Sequence, residues 1–206
     1  MLKIWGRTNS VNVKKVLWAA EELGLWYNRI DAGLHFGVNK TPEYLKMNPT
    51  GLVPTIDDDG FVLWESHSIV RYLAAKHGAG KLWPTDVRQR ADAERWMDWT
   101  YTFQRELQRP LFWALVRTPP EKRDPAAIEA ARQTCAELLK IPERYLAERP
   151  YLAGNDLTIG DIPLGCHVQL WMRLPIERPE QPNLAAWFER LCQRPAFRKI
   201  VDIPLS

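Results

Sequence analysis

The sequence predicts two folding units: an α/β unit on a mixed four-stranded sheet, in the order β-α-β-α-β-β-α, and then an all-α unit. Three observations predict this. Up to about residue 80, short extended runs alternate with segments of helical period. The tetrad Asp57-Asp58-Asp59-Gly60, set between two apolar runs, signals a hairpin. After Lys81-Leu82-Trp83-Pro84 the strand signal fades while helical spacing persists. The expected boundaries are 1–80 for the first unit, 81–86 for a linker and 87–206 for the second unit.

Each element has its own signal. Lys3 to Trp5 is extended, and Val13, Val16, Leu17, Ala20 and Leu23 recur at helical spacing until Gly24 closes the helix. Trp26 to Ile30 reads as the second strand, and a polar loop with Gly33 and Gly37 leads to a short segment over Pro42 to Met47. Val53 to Ile56 and Phe61 to Trp64 are the hairpin strands, and Ile69, Val70 and Leu73 lie on the next helix. Such a β-α-β unit, hairpin and last helix make a small sheet with helices packed on it. In the second unit, Arg88 to Trp113 carries apolar residues on a helical pattern, ended by the prolines between Thr118 and Pro125. Ala126 to Leu139 is a second helix, with Pro142 interrupting near its end. Thr158 and Asp161 form a capping-box pair with Leu157 and Ile162 as a staple, so a helix starts at Thr158, with a local bend expected at Pro163. Leu184, Trp187, Phe188 and Leu191 mark a last helix, ended by Arg194-Pro195.

Composition narrows the function. The 206 residues are 46% hydrophobic and 26% charged, with a net charge of +3 and no run of five or six like charges, so nucleic acid and membrane surfaces are poor partners. No apolar run reaches the roughly 18 residues of a membrane span, and the start Met-Leu-Lys-Ile-Trp-Gly lacks the apolar core of a signal peptide. A cytoplasmic protein is expected. Cys135, Cys166 and Cys192 are an odd number without a CxxC pair, and the four histidines have no metal-ligand spacing, so neither a disulfide framework nor a metal is expected. Adjacent Cys166 and His167 point about 100° apart on a helix and do not make a dyad.

Two stretches carry chemistry. In Asn48-Pro49-Thr50-Gly51-Leu52-Val53-Pro54-Thr55-Ile56, a proline stands where sheet pairing is about to begin, leaving the Val53 backbone free for another partner, or simply marking a sheet edge. In Trp64-Glu65-Ser66-His67-Ser68-Ile69, a carboxylate and a hydroxyl meet at a strand-to-helix junction. Ser66 and the helix N-terminus suit a bound carboxylate, and Glu65 suits an ammonium, the two charges of an amino-acid head group. The plainer alternative is a Ser66 cap beside a first-turn acid.

Together these residues resemble the glutathione transferase superfamily. The likeness rests on Asn48-Pro49 through Val53-Pro54-Thr55, on Glu65 through Ile69 and on the Thr158 to Asp161 capping box, and it spans the chain in order and spacing. Bacterial theta-like and nu-like members are the most similar groups. The resemblance implies a thioredoxin-like first domain, a helical second domain that walls an electrophile pocket, and a homodimer. It implies glutathione as co-substrate, with a cis proline at Pro54 and the Val53 backbone paired to its cysteinyl part. Glu65 and Ser66 would hold the γ-glutamyl ammonium and carboxylate, and Asn39 or Lys40 the glycine carboxylate.

The chemistry would lie in Arg7-Thr8-Asn9-Ser10-Val11-Asn12, at the start of the first helix. Free thiols near pKa 8.5 are mostly protonated at neutral pH, and only the thiolate is a competent nucleophile. A helix N-terminus and donated hydrogen bonds favour the charged form. Ser10 matches the serine or threonine that stabilises the thiolate in the family, and Asn12 matches the nu-like pattern Thr-Pro-Asn with Val11 in place of proline. The first domain has no cysteine, which argues against a mixed disulfide between enzyme and glutathione. The resemblance therefore implies a glutathione transferase that conjugates small electrophiles, by halide displacement or addition to activated alkenes. A nu-like glutathione-dependent disulfide reductase and a non-catalytic protein-binding module are the alternatives.

Overall fold

The computed structural model describes residues 1–206 and contains two compact units, Met1–Trp83 and Pro84–Ser206. In the first, strand β1 (Leu2–Trp5) is followed by helix α1 (Val11–Glu22), strand β2 (Tyr27–Ile30), two 3-10 turns (Leu34–Phe36 and Val38–Lys40) and helix α2 (Pro42–Met47). The hairpin β3 (Thr55–Asp58) and β4 (Phe61–Trp64) leads into helix α3 (Ser66–His77). The sheet order is β2-β1-β3-β4, with β1 parallel to β2 and antiparallel to β3. β1 is interior because Leu2 and Ile4 alternate with less buried residues and pair on both sides, Ile4 standing opposite Arg29 and Ile56.

Helices α1 and α3 pack on each other. Val13, Val16, Leu17 and Ala20 from one, and Ile69, Val70 and Leu73 from the other, are all buried, each larger side chain contributing about 1.5–3 kcal/mol by leaving water. Gly6 makes the entry to α1 possible, since a Cβ there would lie 2.3 Å from Val13 Cγ2. Two strand boundaries move inward from the expected ones. Trp26 precedes β2 and is 93% exposed, and Val53-Pro54 precede β3, because a proline has no N–H to give to the ladder.

The second unit is helical, as its sequence predicts. Helix α4 (Val87–Leu107) is capped by Asp86, whose Oδ1 accepts from the backbone N–H groups of Arg88 and Gln89. The expected continuous helix to Trp113 instead widens into a π-helical segment over Gln108–Arg117, closed by the Thr118 N–H donating to the Trp113 carbonyl. Pro110 lies in that segment and cannot donate to an α-helical ladder. Helix α5 (Pro125–Leu146) runs through Pro142, contrary to the expected interruption. Ala131, Cys135, Leu139, Pro142 and Leu146 are buried along its length, and this packing outweighs the one backbone bond forgone.

Helix α6 (Asp161–Arg173) starts at Asp161, not at Thr158. The reciprocal cap is present within the turn before it: Asp161 accepts from the Thr158 N–H at 2.9 Å, and Thr158 Oγ1 accepts from the Gly160 N–H at 3.2 Å. The later start removes the reason for a bend at Pro163. As third residue of the helix, it occupies a place whose N–H has no intrahelical acceptor. Helix α7 (Pro182–Cys192) is followed by a short α8 (Pro195–Ile200) where the sequence predicted an end. Pro195 is the first residue of α8, the position at which proline suits a helix.

Candidate active site

The site is assembled in the first unit, where loops meet the starts of α1 and α3. Beyond β1, Gly6 N–H donates to the Ile30 carbonyl at 2.9 Å and Arg7 N–H to the Ala32 carbonyl at 3.1 Å, so the strand's pairing persists up to the turn. Ser10 N–H then donates to Arg7 O, and Ser10 O accepts the first helical bond from Lys14 N–H at 2.9 Å. Ser10 occupies the N-cap position with extended backbone, yet its hydroxyl makes no cap bond. The hydroxyl is thus not committed to the helix. Neither α1 nor α3 carries an acidic residue in its first turn, and because Glu65 precedes α3 it is the α1 N-terminus that keeps its positive end uncompensated.

Asn12, Val53, Pro54, Glu65 and Ser66, all predicted from sequence, line one cleft together with Asn48, Thr50 and Leu52. Its volume is about 70 Å³. That is well below the roughly 300 Å³ at which small-molecule pockets begin, so it suits one end of a ligand. The Val53–Pro54 peptide bond is cis. Val53 N–H and C=O enter neither the sheet ladder nor any loop hydrogen bond, so one donor and one acceptor stand at the cleft unused. Glu65 has φ +73°, a sparsely populated conformation for a residue with a Cβ, costing about 1–3 kcal/mol and typical of functional sites.

Glu65, not Ser66, is the N-cap of α3, and Ser66 is the first helical residue. This corrects the expected capping role of Ser66. Because Ile69 N–H makes the first helical bond, to Glu65 O, the N–H groups of Ser66, His67 and Ser68 lie in the turn without intrahelical acceptors. Ser10 lies two residues before Asn12 and is not part of the cleft lining. Asn39 and Lys40 stand apart from it, beside Gly51. Asn39 Nδ2 donates to Gly51 O at 2.6 Å, and a Cβ at Gly51 would come within 2.9 Å of Lys40 Nζ.

Two features of the site escaped the sequence. Asn48 is 2% exposed and organises the loop: Nδ2 donates to Leu52 O at 3.0 Å and Thr55 Oγ1 at 2.9 Å, while Oδ1 accepts from Thr50 N–H and hydroxyl. The Tyr44 hydroxyl adds bonds to Leu52 O and Thr55 Oγ1. The signal was an asparagine before proline at the end of a helix, where an Asx-type turn is expected. The other is Lys15, a charge within an apolar stripe, whose Nζ lies 2.9 Å from Asn12 Oδ1 and 3.0 Å from His67 Nε2.

Two of the three thiols are held in the protonated form, which is a poor nucleophile. Burial pushes the Cys135 thiol up to about 12 and the Cys192 thiol up to about 11, and all three cysteines are free. No group of histidine, cysteine, aspartate or glutamate could hold a metal ion.

Known proteins share this fold along the whole chain. The description "Glutathione S-transferase, N-terminal domain" matches residues 1–75, and "Glutathione S-transferase, C-terminal domain" matches residues 108–195. The chain belongs to the glutathione S-transferase family and is an enzyme of that kind. Among particular relatives, it is 44% identical to glutathione S-transferase GstB of Escherichia coli over 208 aligned positions, covering all of both chains. It is 32% identical to glutathione S-transferase 3 of Zea mays, with 99% of this chain and 95% of the relative covered. The structure matches the theta class glutathione S-transferase of Xanthomonas axonopodis pv. citri, solved with glutathione bound, at a TM-score of 0.95 and 49% identity, covering 100% and 99% of the two chains. It matches glutathione transferase E6 of Drosophila melanogaster at a TM-score of 0.82 and 27% identity, covering 98% and 91%.

Proposed function

We propose that the chain binds glutathione along the Val53 edge, ionises its thiol at the start of α1 and transfers the sulfur to small electrophiles. The observation that carries this reading is the unused Val53 N–H and C=O on the same cleft as Glu65, Ser66 and Asn12. A peptide's N–H and C=O pair with them as an added strand would. The γ-glutamyl ammonium then meets Glu65, and its carboxylate meets the Ser66 hydroxyl and the N-terminal end of α3. Lys40, with Asn39 as the lesser partner because its amide already serves Gly51, receives the glycine carboxylate.

At the sulfur, the uncommitted Ser10 hydroxyl and the Asn12 amide donate hydrogen bonds, and the α1 N-terminus favours negative charge. The thiol proton leaves to solvent and the thiolate attacks an electrophilic carbon; either a halide departs, or an activated alkene gains the sulfur at one carbon as its π bond opens and a proton from solvent at the other. Ser10 stabilises charge and forms no covalent bond. Holding both reactants close supplies the rest of the rate. The position of Asn12 on the cleft favours a second reading, in which the same thiolate attacks a disulfide sulfur and releases a thiolate. We further propose a cytoplasmic homodimer with a role in detoxification. The support for the homodimer is that Leu52 and Phe61 are exposed apolar side chains on the first unit.

Calorimetry of glutathione binding, read beside the ultraviolet absorbance of bound thiolate, tests the reading. Wild type is expected to bind and to show thiolate at neutral pH, and Ser10→Ala to bind with that signal lost. Absence of binding by wild type would sink the proposal.

A further inference from the structure

The first unit buries a basic side chain in the middle of its core stripe. Lys15 sits among Val13, Val16 and Leu17 on α1 and is 0% exposed. An amine withdrawn from water needs hydrogen bonds to replace its hydration. Lys15 Nζ has Asn12 Oδ1 at 2.9 Å and His67 Nε2 at 3.0 Å. The first of these belongs to a residue of the cleft lining, and the second follows Ser66 in the first turn of α3. One lysine therefore reaches both helices that build the site.

We infer that Lys15 is a positioning residue for the sulfur site, one that turns the Asn12 amide so that its N–H donors face the bound thiolate. This rests on the glutathione-thiolate reading proposed above. An ammonium has three donors and no acceptor, so it pairs with the carbonyl oxygen of Asn12 and not with its nitrogen. The planar amide then presents Nδ2 on its other side. A thiolate needs that donor, and the flipped amide would present an oxygen and disfavour the charged sulfur. The same chemistry makes His67 Nε2 the acceptor, with the ring hydrogen on Nδ1. The i, i+3 spacing supplies the reach, because helical side chains lean toward the N-terminus. Lys15 touches no reacting atom, yet it selects the face of the amide that the sulfur meets.

The test is a double-mutant cycle on full-length protein with Lys15→Met, Asn12→Ala and both, reading the pH titration of bound glutathione thiolate and the glutathione Kd. Lys15→Met is expected to lower the thiolate fraction at neutral pH roughly tenfold. Kd should stay within about twofold, because the tripeptide's own anchors are untouched. In the Asn12→Ala background the same substitution should change nothing further. Lys15→Gln, whose amide can still donate to Asn12, should recover part of the signal and serves in place of Lys15→Met if that variant does not fold. A wild-type thiolate fraction in Lys15→Met, or an equal loss with and without Asn12, overturns the inference. In wild type, the Asn12 side-chain amide resonances should shift as bound thiol ionises, and unmoved resonances count equally against it. A wild type that binds no thiolate fails the parent reading and this inference with it, a result distinct from the others.

Discussion

Single residues decide whether the cleft exists, and Asn48 is the most connected of them. Its four hydrogen bonds hold Thr50, Leu52 and Thr55 around the Val53 edge. Asn48→Ala is expected to lower unfolding free energy by about 2 kcal/mol in urea denaturation, since it leaves buried partners unsatisfied. The loosened edge should raise the glutathione Kd roughly tenfold, a larger effect on affinity than that of Ser10→Ala. An unchanged Kd would show that the loop holds its shape without Asn48. At this scale the sequence was readable wherever a residue type has few uses. A Glu-Ser junction and a proline at a strand start pointed to Val53, Pro54, Glu65 and Ser66, while Asn12 came from the family resemblance, and all five line one cleft. Lys15 was not readable, because a lysine inside an apolar stripe has the same sequence appearance whether its amine reaches solvent or turns inward. Asn39 was readable as a residue and not as a bond, since nothing local in its surroundings announces Gly51 O as its acceptor.

Helices and strands were legible through period and caps, and their ends through neither. The α6 start moved from Thr158 to Asp161, and α5 continued past Pro142, because burial of an apolar face outweighs a local breaker. Asp161 deserves a test of its own at this scale. It is fully buried and accepts from the N–H groups of Leu152 and Thr158, the Thr158 hydroxyl and Trp187 Nε1. Burial pushes its carboxyl above the usual range, while these donors pull it back. Asp161→Asn puts an N–H₂ where two donors already point, and it is expected to lower unfolding free energy by about 3 kcal/mol in urea denaturation. A loss below about 0.5 kcal/mol would mean the turn has another support. The hairpin and α3 are tied by Asp58, which accepts from Lys76 Nζ and the Tyr72 hydroxyl, each at 2.7 Å. The Lys76 hydrogen bond is the main cause holding this carboxyl below its ordinary 3.8. A depressed carboxylate stabilises the fold above its unfolded value and loses that contribution as pH falls through the folded value. Asp58→Asn should therefore lower unfolding free energy by about 0.5 kcal/mol at neutral pH, a difference that fades as pH falls through the folded value, as read by denaturation at neutral and at acid pH.

The whole molecule divides where the sequence changed character, between a sheet unit ending at Trp83 and a helical unit beginning at Pro84. That division was legible because period-2 and period-3.6 patterns seldom mimic each other over long stretches. The π-helical turn after α4 was not legible, because Pro110 alone does not say which wider register a helix will take. One feature of the first unit has a further effect at this scale. In the proposed complex, Val53, Glu65 and Ser66, which line one cleft, hold the backbone and head group of the tripeptide, parts that bond formation at sulfur leaves chemically unaltered. The S-substituted product keeps every anchor of the substrate and gives up only the thiolate's own hydrogen bonds. On that reading turnover ends on a complex that resembles its beginning, and departure of the conjugate is expected to set the pace. S-methylglutathione should compete with glutathione with an inhibition constant within roughly tenfold of the glutathione Kd. On the same reading, a cell that accumulates conjugate would throttle the enzyme, and throughput would depend on how fast that conjugate is carried away.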